Sequence, residues 1–386
     1  MKAPVYLDYN ATTPVDQRVL EYMLPFFGEQ FGNAASSTHA YGWVAEKAVK
    51  EAREAIAECL NCESREVIFT SGATESLNLA IKGVAKRYQQ KGKHLITVQT
   101  EHKAVLDCML SLEKEGFEVT YLPVDGSGLI SLEDVQAHLR PDTILVAVMV
   151  ANNETGVIQP IQAISEIVHK NNSLLLCDGV QAFGKIPVDV QSLGIDLLAL
   201  SAHKMYGPKG VGALYVRKRR PRVSLFPLIE GGGHEQGIRS GTLNVPGIVG
   251  FGKAVLIASQ EMKTEADRLG ILRDELVEGI ARLDGTRLHA KTAPRLSHVA
   301  NFSFEGINSQ RLIKAMHRIA VSTGSACTSA EMKPSHVLTA MGVKEEAAYG
   351  SIRFSLGRFT TKEEIEITIS EVTKGIKKLK QRGINH

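Results

Sequence analysis

The chain has 386 residues, 44% of them hydrophobic and 23% charged, the balance of a folded globular protein and not of a disordered one. Its 45 basic and 42 acidic residues leave a net charge of +3, too small to point to nucleic acid or a membrane surface as the main partner. One Trp, 9 Tyr and 12 Phe are too few for a base-stacking platform, and at roughly 150 residues per domain the length predicts two to three domains.

The first 15 residues, containing VYLDYNATTP, predict an extended arm, because Asn10, the Thr pair and Pro14 interrupt regular structure. The N-terminus lacks both the apolar run of a signal peptide and the Arg/Ser-rich pattern of a transit peptide, and no window reaches 18 apolar residues. A cytoplasmic protein with no transmembrane helix is therefore expected. Five cysteines, an odd number, cannot form a complete disulfide framework within one chain. Cys59 and Cys62 make a CxxC at the end of a helical pattern, but no second pair or His cluster completes a zinc site, so no resident metal is expected.

From residue 67 onward short apolar runs alternate with helical patterns. Strands are predicted at Val67–Thr70, Leu95–Gln99, Val119–Leu122, Ile144–Val150, Leu174–Cys177, Leu197–Leu200 and Val211–Val216. Helices are predicted at Ser76–Gln90, Ala104–Glu115, Leu132–Leu139 and Ile161–Lys170. This rhythm implies an α/β fold with a mostly parallel seven-stranded sheet covered by helices on both faces. Residues 247–283 read as a long helical connector. A strand (Val299–Phe304), a helix (Ser309–Arg318), a strand (Ile352–Leu356) and a terminal helix follow. In that last helix Ile365, Ile369, Val372, Ile376 and Leu379 share one face. The expected division is an arm over 1–15 that belongs to the small domain, a large domain over 16–250, and a smaller α+β domain over 251–386.

Ligands gather at the carboxyl ends of the strands in such a sheet. Asp178 follows SLLLC and Lys204 follows LLALSAH, each at or just past a strand end. A lysine that forms an imine with an aldehyde, and an acid that keeps a pyridine nitrogen protonated, are what pyridoxal phosphate chemistry requires. Either residue alone reads more readily as a cap or a surface lysine. The turn at Tyr206-Gly207-Pro208 and the glycines at 210 and 212 favour close backbone approach beside Lys204. Thr70-Ser71-Gly72-Ala73-Thr74 joins a strand to a helix and can offer N–H donors to a phosphate. No GK[ST] closes that loop and no GxGxxG opens a βαβ unit, which disfavours nucleotide triphosphate and NAD sites.

The segments SGATES (71–76), TEHKAV (100–105), NNETG (152–156), DGVQAFGK (178–185), SAHKMYGPKG (201–210), GGGHEQGIRSGT (231–242), STGSACTS (322–329) and SIRFSLGRFT (351–360) together resemble the cysteine desulfurases of the NifS/IscS type. The resemblance runs from the DYNATTP arm to about residue 380. It implies the aspartate-aminotransferase-like fold type I of pyridoxal-phosphate enzymes, class V branch, with the cofactor in the large domain.

By this resemblance Lys204 matches the imine-forming lysine, Asp178 the acid on the pyridine nitrogen and Gln181 the group near the phenolic oxygen. His102 matches the imidazole stacked on the ring. Ala73, Thr74, Ser201 and His203 match phosphate-binding positions. Thr242 matches a residue that reaches the phosphate of the neighbouring subunit, which implies a homodimer. Asn153 and Arg353 match groups at the substrate, the arginine fork holding its carboxylate.

Cys327 lies among small polar residues, a setting for a reactive thiol more than for a buried one. The resemblance makes it the nucleophile. L-cysteine would be converted to L-alanine, with Lys204 taking the Cα proton, His102 shuttling a proton at sulfur, and a persulfide left on Cys327. Sulfur acceptors would be an iron–sulfur scaffold or a tRNA-thiolation protein, and Cys327 could serve transiently as an iron–sulfur ligand. The chain ends at His386, soon after its last helix, whereas some family members carry a longer tail that helps dock the scaffold. The alternatives on the same fold are a selenocysteine lyase, an aminotransferase, or a non-catalytic binding protein.

Overall fold

A computed structural model describes residues 4–220, 222–323 and 334–383. The arm opens with β1 (Val5–Tyr6), and seven strands of one sheet follow. They are β2 (Val67–Thr70), β3 (His94–Val98), β4 (Glu118–Leu122), β5 (Thr143–Ala147), β6 (Leu174–Asp178), β7 (Leu197–Ser201) and β8 (Gly212–Val216). Their order across the sheet is β2-β8-β7-β6-β5-β3-β4. Only β8 runs against the rest, pairing antiparallel with both β2 and β7. The seven predicted strands are thus found, each within a few residues of its expected bounds.

β2, β3 and β5 to β8 are buried along their whole length, as a sheet covered on both faces requires. One face carries Phe69, Val146, Leu175, Leu198 and Tyr215 under the helix Ala40–Leu60. The other carries Ile68, Leu95, Leu145 and Leu197 under the helices Ala73–Tyr88 and Lys103–Lys114.

The connector expected over 247–283 is a single helix, Val245–Ala281. Its first half packs Val249, Phe251 and Val255 with the large sheet. Its second half places Leu269, Leu272, Leu276 and Ile280 in a separate core with Phe302, Phe304 and Phe354. That core belongs to a three-stranded antiparallel sheet in which β10 (Val299–Phe304) lies between β9 (Thr286–Leu288) and β12 (Ser351–Ser355). Ile365, Val372 and Ile376 of the terminal helix Lys362–Gly383 are buried in it, as their spacing predicts. β1 pairs parallel with β11 (Ile319–Ala320), and Asp8 bridges to Ser355, so the arm lies along this smaller sheet before it crosses to the large one. Among the described residues no helix is long and apolar enough to cross a membrane.

Candidate active site

The carboxyl ends of β2, β5, β6 and β7 open onto a cavity of about 570 Å³. It is lined by Ala73, Thr74, His102, Asn153, Asp178, Gln181, Ser201, His203, Lys204 and Arg353, ten of the twelve residues singled out from the sequence. Parallel strands end on the same side, so residues as distant as 73 and 204 meet without any local sequence relation. Thr242, the eleventh, is exposed and does not line this cavity. Cys327, the twelfth, lies outside the described residues; Ser322, just before that segment, lines the cavity and pairs with Arg353 across an isolated bridge.

Asp178 ends β6, buried, and its Oδ1 accepts a hydrogen bond from the Val180 N–H at 2.9 Å. Burial pushes its carboxyl upward, while the Val180 N–H, His102 and Lys204 pull it back. Lys204 ends the single helical turn that follows β7. Burial and the nearby Arg353 lower its amine to about 8, against the raising influence of Asp178 and Asp8. The expected turn is present: Tyr206 adopts a left-handed φ of 64°, and Thr13 Oγ1 accepts from its N–H at 2.8 Å. A Cβ at Gly212 would sit 2.7 Å from the Cα of Gly72, so the close approach of β8 to the 70–74 loop requires glycine there.

The helix Ala73–Tyr88 begins after Gly72, whose φ of 152° suits glycine, and no side chain caps it. Its first N–H groups thus face the cavity with the positive end of the helix dipole. Glu75, in the same turn, is engaged elsewhere, by Arg239 at 2.8 Å and by the Ser71 N–H at 2.7 Å. His203 is held to about 4 by burial and by Lys204 and other lysines, so it is neutral near pH 7. His102 caps the helix Lys103–Lys114, with Nδ1 accepting from the Ala104 N–H at 3.1 Å. His102 thus starts this helix while its ring lines the cavity. Burial lowers it, which leaves a neutral ring with its proton on Nε2.

Arg353, on β12, is buried, with Nη1 donating to the Asn153 carbonyl at 2.8 Å and Nη2 to Asp8 at 2.6 Å. Its Nε has no partner among the described residues. An uncapped helix N-terminus, a buried carboxylate, a lysine of lowered basicity and an unspent guanidinium donor in one cavity fit a phosphorylated pyridine aldehyde together with an amino-acid carboxylate.

The sequence reading passed over four participants. Asp8 pairs with Arg353. Asn10 accepts from Lys204 and Gln181. Lys185, lowered to about 7 by burial and by Lys204, donates to Gln181 Oε1 at 3.0 Å. Glu101, fully buried and pushed well up, accepts from the Met149 N–H at 2.6 Å. None has a local signal; Lys185 and Glu101 lie within matched motifs, but only the fold gives them neighbours. Burial pushes the Cys62 thiol up to about 12 and raises Cys59 too, which leaves both thiols poor nucleophiles.

Residues 5–367 match the aminotransferase class-V family. A protein named cysteine desulfurase IscS from Anaeromyxobacter sp. (strain Fw109-5) is 55% identical over 99% of this chain and 94% of its own length. One of the same name from Haemophilus influenzae (strain PittGG) is 53% identical over 98% of this chain and 94% of its own. Among solved structures, a NifS-like protein superposes with a TM-score of 0.89 at 42% identity, covering 96% of this chain and 98% of that one. SspA in complex with cysteine gives 0.83 at 39%, covering 92% and 100%.

Proposed function

Because the chain belongs to the aminotransferase class-V family, in its cysteine desulfurase branch, we propose that the cavity at the strand ends holds pyridoxal phosphate and L-cysteine and that Cys327 carries the released sulfur as a persulfide. The observation that carries this reading is the convergence of Lys204, Asp178 and Arg353 on one cavity. The cysteine seen with the SspA neighbour supports the substrate.

When bound, the cofactor supplies an aldehyde for an amine and a ring that takes up electron density from the substrate Cα. The chain's own residues divide the remaining work. Asp178 would hold the ring nitrogen, with burial concentrating its effect. The N–H groups at the start of the helix Ala73–Tyr88, with Thr74, Ser201 and His203, would receive the phosphate. Gln181 would serve the phenolic oxygen. Arg353 presents Nε to the substrate carboxylate while Asp8 and the Asn153 carbonyl fix the other two nitrogens. Lys204, lowered to about 8, is neutral in about a tenth of molecules at pH 7, far more than an ordinary lysine, and takes the Cα proton. His102 holds a proton at Nε2 for the substrate sulfur. At Cys327 a thiolate attacks that sulfur: the S–S bond forms and the C–S bond breaks, its electron pair stays with the carbon fragment, and that fragment takes a proton at Cβ and regains one at Cα from the Lys204 ammonium to leave as L-alanine.

The working unit in this reading is a homodimer, with Thr242 reaching the partner's site. An apolar surface supports it: Leu24, Phe27, Phe31, Tyr41 and Trp43 are each more than half exposed. The proposed acceptors are an iron–sulfur scaffold or a tRNA-thiolation protein.

The test is direct. Purified holoprotein given L-cysteine should yield alanine and a persulfide without any keto acid. Lys204→Ala should lose the visible absorbance of the bound cofactor. Cys327→Ser should keep it and form no persulfide; undiminished sulfur release from that variant refutes the role of Cys327.

A further inference from the structure

Asn10 lies in the arm, outside every strand and helix that carries the site, yet only 1% of its surface is exposed. Its backbone carbonyl accepts hydrogen bonds from Lys204 Nζ at 2.6 Å and Gln181 Nε2 at 3.0 Å. The next carbonyl, of Ala11, accepts from the same Nζ at 2.7 Å. The Asn10 side chain fixes where these carbonyls point. Its Oδ1 lies 2.9 Å from His298 Nε2, and its Nδ2 donates to the Asn153 carbonyl at 3.1 Å. Its N–H donates to Ser355 Oγ at 3.0 Å.

An amide oxygen can only accept, so His298 keeps its proton on Nε2. Burial and the nearby Lys185, Arg273 and Arg353 hold His298 well below the usual imidazole range, so this anchor stays neutral and unchanged across the working pH. The Asn153 carbonyl also accepts from Arg353 Nη1 at 2.8 Å. A continuous hydrogen-bonded path therefore joins Lys204, Asn10, Asn153 and Arg353.

We propose that Asn10 is a positioning residue for the Lys204 amine: it holds the Asn10 and Ala11 carbonyls as the seat of that amine whenever the amine is not bonded to the cofactor, and ties this seat to Arg353. The inference rests on Lys204 being the reacting amine. Carbonyls suit the task. They hold the amine by geometry and favour its charged form without titrating themselves, whereas a carboxylate in their place would lock it as an ammonium. The other charged or titratable groups facing Lys204 are Asp178 from β6, Arg353 from β12, Asp8 from the arm, and His102, His203 and Lys185. Among the described residues, the arm is the element that hydrogen-bonds the amine.

The experiment strips the full-length protein of cofactor and follows its reloading with pyridoxal phosphate against pH. Only the neutral amine attacks the aldehyde, so the rate rises through the amine's own titration. In Asn10→Ala the seat loosens and its support for the ammonium weakens, so the midpoint falls, by about 0.5 pH unit or more. In the reloaded enzyme kcat falls on the order of 10-fold or more while KM for cysteine changes about threefold or less, the pattern of a misplaced amine. His298→Leu, which removes the anchor and not the seat, moves both readouts in the same direction by less. It also carries the test if Asn10→Ala does not fold. A reloading midpoint unchanged from wild type in the variant measured overturns the proposal, even if kcat drops. Failure of the wild-type chain to take up the cofactor, or uptake that survives Lys204→Ala, would instead sink the reading of Lys204 itself.

Discussion

Replacing Arg353 tests its proposed role at the substrate most sharply. The guanidinium is buried and planar, and two of its nitrogens are committed, Nη1 to the Asn153 carbonyl at 2.8 Å and Nη2 to Asp8 at 2.6 Å. Among the described residues Nε is the guanidinium nitrogen with no partner at all. A lysine at 353 keeps one positive charge but cannot serve three partners in fixed directions. Removing a buried, hydrogen-bonded charge from a polar partner costs about 2–5 kcal/mol, so Arg353→Ala should lower kcat/KM for cysteine by about 30- to 5,000-fold. Arg353→Lys keeps the charge and loses the fork, for which a loss of about 1–2 kcal/mol, or about 5- to 30-fold, follows. Alanine release gives kcat/KM. Equilibrium dialysis of pyridoxal phosphate, run in parallel, should show cofactor affinity changed far less than kcat/KM. A variant within about threefold of wild type in kcat/KM, below the roughly 1 kcal/mol scale of a single hydrogen bond, would refute the reasoning. So would an equal loss in both measurements, which would place Arg353 at the cofactor.

Other expectations rest on separate parts of the molecule. Asp16 joins Arg18 and Arg358 with its side chain only 5% exposed, and the hydrogen bond from Arg18, then that from Arg358, holds its carboxyl well below the usual range. A depressed carboxyl stabilises the fold above its unfolded pKa and loses that contribution as pH falls. Asp16→Asn, which can keep the N-cap that Asp16 gives the helix Gln17–Met23, should therefore cost about 1–3 kcal/mol at pH 7, discounted for the half-exposed Arg18, with the gap to wild type narrowing below about pH 4 in denaturant titrations. Gly252→Ala would set a Cβ 2.6 Å from the Cα of Ala52, forcing apart the helices Ala40–Leu60 and Val245–Ala281; a loss of about 1–3 kcal/mol in the same assay is expected, and no loss would show that the helices part freely. Phe31→Asp, on the exposed apolar surface, should convert a dimer into a monomer in sedimentation analysis, and a dimer unchanged at micromolar concentration would move the interface elsewhere.

The large sheet was legible because its strands are buried on both faces and so read as short apolar runs between helical periods. The strand ends at Asp178 and Lys204 were legible for the same reason: a charged residue directly after LLLC or LLALSAH has few places to go except the sheet's carboxyl edge. His102 and Arg353 carry no such signal. A histidine at a helix start caps whether or not a ligand lies beyond it, and Arg353 sits in a strand whose neighbours are as buried as itself. Their place in the site came from resemblance, and the fold supplies the reason: β12 borders the arm, and the arm borders the end of β6.

The arm is where local reasoning fails most completely. Asn10, Thr13 and Pro14 read as residues that break structure, and they do; only short bridges and turns surround them. What they do instead is paid out over great sequence distance, Asn10 touching residues 143, 171, 194, 288 and 345 positions away. An extended segment cannot satisfy its own backbone groups, so each must find a partner elsewhere. Here those partners are the catalytic candidates themselves: the carbonyls of 10 and 11 take Lys204, and Thr13 takes the His203 carbonyl and the Tyr206 N–H. The strained φ of Tyr206 persists because Thr13, Asp16 and Arg358 hold that residue from three sides. Irregular structure at the N-terminus is therefore the means by which the smaller sheet and the large one are tied together at Lys204.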